Sequence, residues 1–81
     1  MLEERNNNQR LEMVANGLVS INEATRITGL KKTKLYNLMA TGELPYCKIG
    51  GARRIPRKAL FNLMARHLII RENKFSEDLD T

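Results

Sequence analysis

The chain has 81 residues, 42% of them hydrophobic, with fourteen Lys and Arg against nine Asp and Glu and a formal net charge of +5. A domain of that size buries only about 60% of its unfolded surface, which leaves little room for a buried catalytic cleft of ordinary size. The single cysteine, Cys47, excludes an intrachain disulfide, and with a single histidine the chain cannot assemble a Cys/His metal site by itself.

No Ser/His/Asp arrangement, Walker-type loop or pair of carboxylates is visible. Catalytic residues, cofactors, metals and a small-molecule substrate are therefore not expected, and the chain does not read as an enzyme. No apolar run approaches the ~20 residues of a membrane span. The start, Met1-Leu2-Glu3-Glu4-Arg5, lacks the apolar core of a signal peptide, so a reducing cytoplasm is the expected compartment.

Residues 1–17 are mostly polar. Leu11, Val14 and Ala15 follow helical spacing, so this stretch is either a short helix ending near Gly17 or a flexible segment. Leu18 and Val19 read as a brief extended piece. Ser20-Ile21-Asn22-Glu23 matches a capping box, in which the Ser20 hydroxyl accepts the Glu23 backbone N–H and the Glu23 carboxylate reaches back to the Ser20 N–H. The helix that follows has Ile21, Ala24 and Ile27 on one face and Gly29 at its C-terminal cap.

A second helix opens around Lys32 or Thr33 and buries Leu35, Leu38 and Met39 at i, i+3, i+4. Gly42 ends it, and Pro45 prevents a restart. Two short helices around a tight turn match a helix-turn-helix. Tyr46-Cys47-Lys48-Ile49 then reads as a strand, Gly50-Gly51 as a tight turn with positive φ angles, and Arg53-Arg54-Ile55 as the return strand. Pro56 suits the first position of a third helix. That helix is expected to carry Leu60, Leu63, Met64 and Leu68 inward, with Phe61 and His67 beside them, and to fray after Ile70. Residues 72–81 read as an acidic, mobile tail. The expected organisation is an N-terminal segment over 1–17, a domain over 18–71 and the tail. The fold class is mainly α with a small β-hairpin.

The charge is not evenly spread. Residues 18–71 hold eleven Lys and Arg against two acids, a net +9, whereas the two ends together hold three basic and seven acidic residues. A basic body suits a polyanion, although a solvated basic surface without a partner gives the same composition. In a helix-turn-helix the second helix enters the major groove of DNA with its first residues toward the bases. Here those residues are Lys31, Lys32, Thr33, Lys34, Tyr36 and Asn37. Lysine can donate to guanine, asparagine can bond adenine twice, and a helix N-terminus attracts phosphate. The alternative is plain exposed helix surface.

The hairpin offers Lys48, Gly50, Gly51, Arg53 and Arg54. Its glycines permit close approach to a DNA backbone, and Arg53 and Arg54 point to opposite faces of the strand. One can reach phosphate or a narrow minor groove, while the other packs or faces solvent. Its alternative role is to cover the core, with charges keeping an exposed edge from pairing. Arg57 and Lys58 open the third helix and can add phosphate contacts. His67 reads as a surface or packing residue, and Cys47 as a small buried side chain.

The run from Leu18 to about Leu68 resembles the small DNA-binding proteins of the excisionase and AlpA-like group, which share a MerR-like winged-helix fold. The pieces that carry the resemblance are Ser20–Ala24, Gly29-Leu30, Leu35-Tyr36, Gly42-Glu43-Leu44-Pro45, Lys48-Ile49-Gly50 and Arg53-Arg54-Ile55-Pro56. It implies a winged helix-turn-helix with the second helix in the major groove of double-stranded DNA and the wing along the adjacent minor groove. It implies either an architectural factor that bends DNA and directs an integrase, with the integrase or further copies of itself as partners, or a small transcription regulator.

The chain departs from the family pattern at Lys31. A Ser or similar cap is usual there, and its loss costs about 1 kcal/mol unless Thr33 takes over. A reading of another class is a protein-interaction module whose basic face binds an acidic partner. Salt and DNA dependence together separate the two, since neutralising about five phosphates of duplex DNA gives a slope of log K on log salt of about −4 to −5.

Overall fold

Ser20 is where two elements meet, because it closes a strand and caps the helix that follows. Its Oγ accepts the Glu23 backbone N–H at 3.1 Å from an extended conformation, φ −75° and ψ 166°. The return arm of the expected capping box, from the Glu23 carboxylate to the Ser20 N–H, does not form; Glu23 instead remains near the positive end of the helix dipole. The protein is seen here in a computed structural model that describes residues 2–71, and the expectation for residues 72–81 lies outside them.

In chain order the elements are α1 (Leu2–Val14), β1 (Leu18–Ser20), α2 (Ile21–Thr28), α3 (Lys32–Thr41), β2 (Cys47–Ile49), β3 (Ala52–Pro56) and α4 (Arg57–Arg66). The α2–α3 connection is tight because its polar groups are used locally. The Thr28 hydroxyl donates to the Ala24 carbonyl at 2.8 Å and accepts the Leu30 N–H at 3.1 Å. Gly29 takes φ +76° and donates its N–H to the Thr25 carbonyl at 2.7 Å. A side chain held in that left-handed conformation costs roughly 1–2 kcal/mol.

The strands form one antiparallel sheet in the order β1-β3-β2. β1, expected only as an extended stretch, is thus a third strand on the far side of the hairpin. Ile49 pairs with Ala52, so Gly50 and Gly51 form a two-residue turn. Only Gly50 has a positive φ, +62°, which corrects the expectation of positive angles at both glycines. A positive angle at the first central position alone is the pattern of a type II′ turn.

The core is Val19, Ala24, Leu35, Leu38, Met39, Leu44, Ile55, Ala59, Leu60 and Leu63, edged by Met13, Ile21, Ile27 and Leu30. Leu44 reaches it because its N–H bonds the Leu38 carbonyl at 3.0 Å and folds the chain back under α3. α1 packs beside α4.

α4 differs from expectation at both ends. Pro56 is not the first helical residue. It is extended (ψ 130°) and still opposite Leu18, and the helix begins at Arg57, whose N–H bonds the Gly17 carbonyl at 2.9 Å. At the other end the last turn tightens, with N–H bonds from His67 to Met64 and from Leu68 to Ala65, and the helix stops at Arg66. Leu68 is therefore 66% exposed rather than inward, and Phe61 is exposed as well. Helical spacing carried Leu68 one turn beyond the last core layer, which ends at Leu63.

Candidate nucleic-acid interface

The apolar stripe of α3 (Leu35, Leu38, Met39) turns inward, which leaves Lys31, Lys32, Thr33, Lys34, Tyr36 and Asn37 exposed. These six do not share one direction. Thr33 and Asn37, four residues apart, run along the middle of the exposed face. Lys32 and Tyr36 flank it on the side of the wing, where they line a polar cleft with Arg53, Arg54, Gly51 and Ser20. Lys34 flanks it on the other side, in a groove lined by Leu38, Leu63, Met64, Leu68 and Ile69. Lys31 is the N-cap and makes no side-chain cap bond, nor does Thr33 replace it. The first N–H groups of α3 are thus free to meet an anion.

The wing is β2, the Gly50-Gly51 turn and β3. Lys48, Gly50 and Gly51 are exposed there. On β3, Arg53 lies on the same face as buried Ile55, and Arg54 on the opposite one. An arginine on the core-side face needs cover, and it finds aromatic rings. Its guanidinium carbon is 5.2 Å from the Tyr36 ring centroid and 4.8 Å from that of Tyr46. Arg54 is exposed and donates from Nη1 to the Arg53 carbonyl at 3.0 Å. Arg57 and Lys58 sit beyond the other end of β3 from the wing tip and are half-buried, so they are not gathered with the wing. Cys47 is half-buried too.

Tyr46 did not stand out in the sequence as a site residue. It precedes by two residues Lys48, the cross-strand partner of Arg53, so it is a diagonal neighbour across the hairpin. An arginine on the inward face of a strand, next to such a tyrosine, was the available signal.

The electrostatics separate the two flanks of α3. The wing-side cleft is lined by three cations, Lys32, Arg53 and Arg54, and by no carboxylate. On the other flank Glu43 stands 3.5 Å from His67 Nε2, and its backbone carbonyl accepts the Arg66 guanidinium at 3.1 Å. Among the described residues no group of His, Cys, Asp and Glu could hold a metal ion, and no helix is long and apolar enough to cross a membrane.

A basic, uncapped helix start beside an arginine-bearing hairpin, on a helix-turn-helix core, defines a winged helix-turn-helix of the DNA-binding class. The helix-turn-helix domain family matches residues 18–68, more than half of the chain, and the chain belongs to that family. It is similar to a "Probable excisionase" of Saccharopolyspora erythraea, at 45% identity over 49 residues that make up 60% of this chain and 50% of that protein. The chain thus matches half the length of this relative. No solved structure matches it significantly. Together these similarities support an excisionase-like small DNA-binding protein.

Proposed function

We infer that the protein grips double-stranded DNA with α3 in the major groove and the wing along the adjacent minor groove, and that it acts as an architectural factor in site-specific recombination. The observation that carries this reading is the carboxylate-free cleft between α3 and the wing, where cations from two separate elements converge. Thr33 and Asn37 face base edges, since they hold the middle of the exposed face. Lys31, Lys32, Lys34 and Tyr36 border the groove, and the free N–H groups of α3 meet a phosphate. Lys48, Gly50, Gly51, Arg53 and Arg54 meet the flanking backbone, and Arg57 and Lys58 reach only outlying phosphates. The excisionase-like relative favours recombination over transcription control, with an integrase and further copies on DNA as partners.

Binding to duplex DNA, followed by fluorescence anisotropy at several salt concentrations, should give a log–log slope of about −4 to −5. Circular-permutation gels with attachment-site DNA should show a bend, and integrase assays should show excision raised by the protein. No binding to duplex DNA even at low salt points to the acidic-partner module instead. Unbent DNA with sites only at promoters removes the architectural role and leaves a transcription regulator.

A further inference from the structure

The Arg53 guanidinium lies between two rings, 5.2 Å from the Tyr36 centroid and 4.8 Å from the Tyr46 centroid. Both distances fall inside the ~6 Å range of cation–π attraction. Cation–π attraction to a ring does not consume the N–H donors of a guanidinium, which carries five. None of those donors bonds another described residue, whereas Arg54 spends one on a backbone carbonyl. The rings do little for the core: Tyr36 is 41% and Tyr46 38% exposed. A pair of tyrosines placed to staple the fold would be buried. These two are placed to hold one side chain at the surface, at the edge of a cleft that Lys32 enters from α3.

We propose that Tyr36 and Tyr46 clamp Arg53 in the free protein, and that Arg53 and Lys32 thereby seat one backbone phosphate of duplex DNA between α3 and the wing. Tyr46 is then a positioning residue, acting on DNA through Arg53. The clamp fixes a long side chain before DNA arrives, so the ordering cost falls on folding and not on binding. It also ties the wing to α3, which fixes the distance between the cations from the two elements. This inference rests on the DNA-binding reading above.

A double-mutant cycle with Tyr46→Leu and Arg53→Ala, read as duplex affinity across salt concentrations, tests it. Tyr46→Leu removes no charge, so it should weaken binding about fivefold at unchanged salt slope. Arg53→Ala should weaken binding further and reduce the slope by about 0.9. Adding Tyr46→Leu to Arg53→Ala should change nothing more, and Tyr46→Phe, which keeps the ring, should bind like the wild type. A Tyr46→Leu penalty that persists in full without Arg53, or no penalty at all, overturns the clamp. The wild type gives a second readout that needs no variant. NMR of the DNA-free protein should show the Arg53 side-chain protons shifted upfield by the two rings, and random-coil shifts overturn the proposal. A wild type that binds no duplex defeats the DNA reading and the phosphate seat together, and the upfield shifts, if present, then separate that failure from failure of the clamp.

Discussion

The two flanks of α3 are built from opposite materials. Toward the wing lie Lys32, Arg53 and Arg54 around a polar cleft; toward the end of α4 lie Leu38, Leu63, Met64, Leu68 and Ile69, with Lys34 and the Glu43–His67 pair at the margin. A single helix serves both because its 3.6-residue period turns Lys32 and Lys34 to different sides. Four consecutive polar residues, Lys31 to Lys34, look like one basic patch in the sequence. In three dimensions they are divided, and the wing decides which half is reinforced.

The largest effect should come from the core on which both flanks rest. Leu44 is fully buried. Leu44→Ala should cost about 3 kcal/mol of stability, read from urea unfolding, and should loosen wing and groove alike. Next is the wing side alone. Arg53→Ala with Arg54→Ala should weaken duplex binding on the order of 30-fold and reduce the salt slope by about 1.8, with little change in melting temperature.

Lys31→Ser restores the absent cap. It should raise stability by about 1 kcal/mol in thermal melts while removing one cation from the α3 start. The smallest effect sharpens the comparison most. Lys34→Ala, on the groove side, should reduce affinity less than Lys32→Ala does in the same anisotropy assay, by about twofold or under. An equal loss from both would mean that DNA reaches across the whole of α3 and that the division has no consequence for binding.

Much of the fold was legible because it rests on local chemistry. Ser20, Gly29 and Gly42 marked helix ends, and the glycine pair marked the hairpin. The Leu35, Leu38, Met39 stripe gave the buried face of α3 directly. What escaped was set by contacts distant in sequence. β1 becomes a strand because β3 lies beside it, and nothing in Leu18-Val19-Ser20 alone requires that. Leu68 fits the α4 spacing, but a period says nothing about where the core runs out. For the site, residue types and alternation set the two wing arginines on opposite faces, but not which of them meets the tyrosine rings. Arg53 turns to Tyr36 and Tyr46 only once β3 is seated with Ile55 inward.

The stagger of the sheet has a mechanical consequence. β1 pairs with Arg54 to Pro56, and β2 pairs with Ala52 to Arg54, so Arg54 is the single residue of β3 with strands on both sides. One half of β3 is paired to β1 over the core; the other, toward the turn, is paired to β2 alone. Backbone amide exchange should therefore quicken from Ile55 toward the turn. A hairpin rooted in this way is a cantilever, and the proposed Arg53 clamp would set its rest position. On the DNA-binding reading proposed above, such a cantilever would resist a backbone that is too near or too far, and local groove width would weigh on affinity at base pairs the protein never touches.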